Sequence, residues 1–381
     1  MHYLDYAATT PLLPEAKIAM LEVFERDFGN PSSVHAFGRR ARQIVEDARD
    51  RVAAAVGASP AEIVFTGGGS EASNLGIKGA THKLRGNGNH VVSSTFEHHA
   101  VLDSVEWLAH QGLEVSYISP TRGGLLDPRS LEDKLRSSTI LVSLMTVNNE
   151  IGTVQDIPAL VEATRKISKP AVFHTDAVQA LGKLPVDVHA WGVDLASFAA
   201  HKLGGPKGVG ALFVRSHTPV EALIHGGGQE KGLRSGTINV AGVAGFGVAA
   251  EIAAKEVHES AERITALRNR LLEGLRVAIP DIEVNGTLDH HVPNTLNVAI
   301  PKADAETLLL LLDRSGIACS AGSACQSGAM DPSHVLLAIG VERDMAQGSL
   351  RFSLGRDSTE VDVDAVLQTL PGIVEQARRV T

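Results

Sequence analysis

The chain has 381 residues, 44% hydrophobic and 21% charged, and carries a formal charge of −9 at pH 7. That length suits two domains, and no apolar run approaches the roughly 20 residues a membrane-spanning helix needs. The negative balance speaks against nucleic acid as the main partner.

The start of the chain shows no basic segment followed by an apolar one, so no signal peptide is expected. Residues 14–28 read as a helix, with Pro14 in its first turn and Ile18, Leu21 and Phe24 on one face. A second helix is expected over 37–56, closed by Gly57. Short apolar runs then read as buried strands at 62–66, 90–95, 114–119, 140–147, 171–175, 195–198 and 208–214. Helical stretches such as Ile157–Ile167 separate most of them, which implies βα units and a mostly parallel sheet covered on both faces. The run at 208–214 follows its predecessor too closely for a crossover helix, so an antiparallel pair is expected there. A long helix over 240–279 leads into strands at 295–300, Ile317–Ala318 and 349–354, and into helices at 305–313 and 361–380. The expected class is α/β: a large domain over 14–255, and a smaller α+β domain from 1–13 plus 256–381.

The ends of the strands carry the chemistry. Asp176 and Lys202 close two successive runs and are delivered to one sheet edge. An amine to condense with an aldehyde, and a carboxylate to keep a pyridine nitrogen protonated, are the two groups that pyridoxal phosphate requires. Thr66 to Asn74 follows a strand and opens a helix, so the backbone N–H groups around Gly69 and Ser70 form a phosphate cradle. The same run satisfies G-x-G-x-x-A through Gly67, Gly69 and Ala72. A dinucleotide site also needs an acidic strand end about 20 residues on, and the nearest, Glu97, comes later than that.

His98 follows the next strand, where an imidazole can stack on a flat cofactor and shuttle protons. No ligand set completes a metal site around it. The amides of Asn149 and Gln179 also follow strands and suit a phenolate oxygen. The stretch from His225 to Thr237 holds five glycines in thirteen residues, as a loop approaching a ligand or a second subunit would. The only two cysteines, Cys319 and Cys325, exclude a disulfide framework and point to a reducing cytoplasm. Cys325 lies among small residues and is a candidate nucleophile, whereas Cys319 follows an apolar strand and reads as a buried thiol. Arg351 lies on a strand from which its fork can hold a carboxylate.

Taken together these motifs resemble the cysteine desulfurases of the NifS/IscS kind, class-V aminotransferases with the fold type I of pyridoxal-phosphate enzymes. The resemblance runs from Tyr3-Leu4-Asp5-Tyr6-Ala7-Ala8-Thr9-Thr10 to the Ser349–Arg356 segment. It includes Gly29-Asn30-Pro31-Ser32-Ser33, Val147-Asn148-Asn149-Glu150-Ile151-Gly152, His201-Lys202, Arg234-Ser235-Gly236-Thr237 and Ser323-Ala324-Cys325. It implies that Lys202 carries pyridoxal phosphate, Asp176 pairs with the ring nitrogen, His98 stacks, and Gln179 and Asn149 meet the phenolate oxygen. It further implies that Gly69, Ser70 and His201 hold the phosphate, with Thr237 doing so across a homodimer. Arg351 would take the substrate carboxylate, and Cys325 would receive sulfur from L-cysteine as a persulfide, leaving L-alanine. The sulfur would pass to an iron–sulfur scaffold or another acceptor protein, Cys325 serving at most as a transient cluster ligand. Ala199 stands where many relatives place a phosphate-binding Ser. A selenocysteine lyase, an aminotransferase-like enzyme and a cluster-assembly platform remain as alternatives.

Overall fold

The computed structural model describes residues 1–321 and 331–379. The chain opens with β1 (His2–Tyr3) and then builds a seven-stranded sheet. Its strands are β2 (Ile63–Thr66), β3 (His90–Ser94), β4 (Glu114–Ile118), β5 (Thr139–Ser143), β6 (Val172–Asp176), β7 (Leu195–Ala199) and β8 (Gly210–Val214). They lie in the order β2-β8-β7-β6-β5-β3-β4. β8 is antiparallel to both β2 and β7, as its short connection requires, and the other pairings are parallel.

Near-continuous apolar strands are needed because both faces are covered. Ile63, Phe65, Phe173, Phe198 and Phe213 point into one apolar cluster, while Val64, Leu141, Val172, Leu195 and Leu212 point into the other. Each fully buried side chain of this size contributes about 1.5–3 kcal/mol. Parallel pairing brings the C-terminal ends of β6 and β7 to one edge, with Asp176 opposite Ser197. Ligands gather at that edge in open α/β sheets.

The helix Val240–Ala278 is 39 residues long and links two cores. Its first half packs on the helices Pro14–Glu25 and Ala36–Val56, where Gly247 permits close approach. A Cβ there would lie 2.7 Å from Ala48 Cα. Its second half supplies Leu267, Leu271 and Leu275 to a separate cluster with Leu296, Leu350 and Phe352. That cluster lies over β9 (Glu283–Val284), β10 (Thr295–Ala299) and β12 (Ser349–Ser353), while β11 (Ile317–Ala318) pairs with β1. The N-terminus thus returns to the C-terminal part of the chain.

The structure departs from the sequence reading in two places. The stripe Ile18, Leu21 and Phe24 does not face the core, being 58%, 45% and 64% exposed; Ala16 and Val23 are buried instead. Close packing on the Gly-rich start of the long helix selects small side chains for the inner face. Strand β5 also ends at Ser143, well before residue 147. There the chain bends into a turn in which Asn148 Oδ1 accepts from the N–H groups of Glu150 and Ile151, and Val147 bridges back to Val154.

Candidate active site

One cavity of about 370 Å³ opens at the C-terminal edge of the sheet. Gly69, Ser70, His98, Asn149, Asp176, Gln179, His201, Lys202 and Arg351 all line it, with Ala7, Ala8 and Ala199. Residues far apart in sequence meet here because each follows a strand ending at the same edge or, like Arg351, lies on the facing small sheet. Thr237 is exposed in its loop and is not in this wall. Cys325 lies outside the described residues.

Lys202 ends a single 3₁₀ turn directly after β7, and Nζ donates to the carbonyls of Ala7 (2.6 Å) and Ala8 (2.7 Å). Burial, with the nearby cation of Arg351, lowers its pKa to about 8, against the opposing pull of Asp176 and Asp5. An amine so placed is a usable nucleophile near neutral pH. Asp176 closes β6, is buried, and accepts from Val178 N–H at 2.9 Å. Burial pushes its carboxyl up, with His98, the Val178 N–H and Lys202 holding it back. His98 caps the helix His99–His110, Nδ1 accepting from Ala100 N–H at 3.0 Å, so a neutral ring carries its proton on Nε2. Desolvation by the surrounding walls keeps that ring below the usual histidine range.

On another side of the cavity the helix Gly69–Asn74 starts from Gly68, whose φ of +154° favours glycine. A Cβ on Gly69 would come 2.7 Å from Val178 Cγ2, and one on Gly210 would come 2.6 Å from the Gly68 carbonyl carbon. Glycines at both positions let this turn press against the sheet and present its free N–H groups. His201 lies nearby, Nδ1 3.2 Å from Thr9 Oγ1, with a pKa lowered to about 4 by burial and by Lys202, Lys207 and Lys183.

Opposite, Arg351 is buried on β12; one guanidinium nitrogen donates to Asp5 Oδ1 at 2.9 Å and the other to Asn149 O at 2.8 Å. Its Nε and the Oδ1 of Asn149 are buried without a partner among the described residues. Unpaired buried groups of this kind cost about 1–3 kcal/mol each, a cost a bound polar ligand removes. Cys319, by contrast, packs against the smaller core, and burial raises its thiol to about 12, with Asp5 adding and Arg351 opposing. It is not an activated thiol.

Sequence reasoning missed Asp5, Glu97 and Lys183. Asp5 stands in a segment singled out for its motif, but nothing local says that it reaches Arg351. Glu97 precedes His98, and its position just past a strand was the available signal. It is buried, accepts from Ser94 Oγ at 2.6 Å and Met145 N–H at 3.0 Å, and its pKa is pushed to about 8, chiefly by burial. Lys183 lies four residues after Gln179, a spacing that hinted at contact.

The model of the aminotransferase class-V family matches residues 2–366. The chain belongs to the class-V aminotransferase family. This class-V enzyme is 45% identical over 379 residues to the cysteine desulfurase IscS of Dictyoglomus turgidum, an alignment covering 100% of the chain and 96% of that relative. A solved NifS-like protein superposes with a TM-score of 0.93 at 37% identity, covering 99% of this chain and all of that one. A structure of SspA in complex with cysteine gives 0.82 at 35% identity, covering 93% and 99%. No helix among the described residues of this class-V enzyme is long and apolar enough to cross a membrane.

Proposed function

We propose that the chain is a pyridoxal-phosphate-dependent cysteine desulfurase, converting L-cysteine to L-alanine and leaving the sulfur as a persulfide on Cys325. The observation that carries this reading is the Lys202 amine, lowered to about 8, sharing one cavity with Asp176, His98 and the N–H cradle at Gly69. The donor set fits the cofactor: an amine for its aldehyde, a carboxylate for its ring nitrogen, amides for its phenolate oxygen and a helix start for its phosphate. Ser70 and His201 complete the phosphate site. Pyridoxal phosphate, when bound, supplies a ring that draws electrons away from the substrate's carbon atoms.

The protein does the rest. Arg351 holds the substrate carboxylate through its unpaired Nε edge, kept in place by Asp5 and Asn149 O. Lys202 Nζ, able to hold or yield a proton near neutral pH, moves protons at the substrate carbons. His98, in the cavity wall, would face the ring, and its neutral form holds a proton at Nε2. The Cys325 thiolate attacks the substrate sulfur: the S–S bond forms as the carbon–sulfur bond breaks, and the carbon takes up a proton to become alanine. The persulfide then passes to an iron–sulfur scaffold or another acceptor protein in the cytoplasm.

The enzyme works as a homodimer, with Thr237 serving the phosphate of the partner's site. The exposed position of Thr237 and the uncovered side chains of Ile18, Leu21, Phe24 and Phe28 support this reading.

The test is the absorbance spectrum of the purified protein before and after L-cysteine, with alanine and sulfide measured in the same sample. A visible band that shifts with cysteine as alanine accumulates is expected. A protein that binds no added pyridoxal phosphate would overturn the reading.

A further inference from the structure

We infer that Lys183 is a positioning residue for the cofactor site: it locks the Gln179 amide so that its N–H, and not its carbonyl, is presented to the cavity. The inference rests on the reading of the cavity as a pyridoxal-phosphate site and adds to it a residue that does not line that cavity.

Lys183 follows Gln179 by four residues in the turn after β6. Its Nζ donates to Gln179 Oε1. On its other side Gln179 Nε2 donates to Ala7 O at 2.9 Å. Two partners therefore fix the same amide orientation. Ala7 O is an acceptor only, so it requires nitrogen at its side, and the Lys183 amine donates to the oxygen that this orientation leaves facing it. With Oε1 held by Lys183 and one Nε2 hydrogen held by Ala7, the second Nε2 hydrogen is what remains for a ligand. A flipped amide would set Oε1 against Ala7 O. It would also show an acceptor to a phenolate oxygen, which repels it.

The surroundings of Lys183 are unusual for a lysine with no direct place in the chemistry. Its stem borders a second crevice shared with Tyr6, Leu203, Ile252, Glu256 and Asn294, and Lys202 lines both crevice and cavity. Burial and the cations of Lys202 and Arg351 hold its amine well below the ordinary lysine range. A buried amine next to two cations is costly, and the Gln179 carbonyl is the acceptor that offsets part of that cost. Ala7 O also accepts from Lys202, so the Gln179 amide and the cofactor-bearing amine converge on one carbonyl. When Lys202 is taken up by a ligand, Lys183 still holds the amide in register.

The experiment is a double-mutant cycle on cofactor binding. Pyridoxal phosphate is titrated into apo wild type, Lys183→Met, Gln179→Leu and the double variant. The dissociation constant is read together with the pH midpoint of the visible band. Lys183→Met is expected to weaken binding about tenfold, the value of one well-made hydrogen bond. It should also move the midpoint upward, because a phenolate oxygen with no donor attracts the neighbouring proton more strongly. In the Gln179→Leu background the same change should alter binding less than twofold, since Lys183 acts through Gln179. Lys183→Gln keeps an N–H donor and should stay within threefold of wild type, and a tenfold loss in it overturns the inference; if Lys183→Met does not fold, Lys183→Ala, which also removes the donor, takes its place in the cycle. Additive effects of Lys183→Met and Gln179→Leu, or an unmoved midpoint, would likewise overturn it. Wild-type protein that binds no pyridoxal phosphate would overturn the underlying reading of the cavity instead.

Discussion

The lowered pKa of Lys202 makes a quantitative prediction for cofactor loading. An ordinary lysine at 10.5 is neutral in about one molecule in 3,000 at pH 7, whereas an amine at about 8 is neutral in about one in eleven. The reactive fraction is thus roughly 300 times larger. In stopped-flow absorbance, the rate at which apo protein takes up pyridoxal phosphate should rise about tenfold per unit between pH 6 and 7 and level off near pH 8. The charges acting on the amine pull in opposite directions. Arg351 lowers the pKa, so Arg351→Met should move the break to higher pH; Asp176 raises it, so Asp176→Asn should move the break lower. A rate that keeps climbing past pH 10 would refute the reasoning, as would variants that shift the break in the same direction.

Three further outcomes are expected. Cys319→Ala should keep at least half of wild-type alanine formation, its thiol being buried and raised to about 12, whereas Cys325→Ala should lose persulfide and sulfide yet keep the spectral shift with L-cysteine. Asp5→Asn removes the charged partner of Arg351 and should raise KM for L-cysteine about tenfold, roughly 1.4 kcal/mol, with a smaller change in kcat; an unchanged KM would separate Asp5 from substrate binding. Glu97 binds its proton more tightly folded than unfolded, so the stability it contributes is complete below about pH 4.5 and is lost as pH rises toward 8. Glu97→Gln should therefore flatten the loss of apo-protein stability between those values, by on the order of 4 kcal/mol, as read by chemical denaturation across pH.

Much of this molecule was legible in its sequence. Most of the strand runs were apolar without alternation because both faces of the sheet are buried, and all but the run at 140–147 were placed to within two residues. The βα alternation in turn dictated that Asp176, His98 and Lys202 would reach a common edge. Parallel strands with crossover helices put every C-terminal end on the same side, so a residue's place in the site follows from its place in its strand. Gly69 was legible because it opens a helix directly after a strand; the structure adds that a Cβ there would come 2.7 Å from Val178 Cγ2.

What the sequence left open depends on contacts between distant segments. The helix Pro14–Glu25 carries an apolar stripe by its periodicity, yet the small residues of the long helix claim its Ala16 face and leave Ile18, Leu21 and Phe24 outside. Cys319 already read as a buried thiol from the apolar strand before it, but how far burial deactivates it is set by packing against the second core, which raises the thiol to about 12. Asp5 and Arg351 are 346 residues apart and meet because β1 joins β11 and the chain from Asp5 runs beside β12. Lys183 could be seen near Gln179 in sequence, but its bond to the amide, and the Ala7 carbonyl that completes the lock, come from the folded N-terminal segment. The sequence by itself determined which chemical groups would gather at the sheet edge, because period and punctuation are local. The charge state and orientation of those groups were decided by tertiary structure, because desolvation and hydrogen-bond partners depend on what the rest of the chain brings alongside.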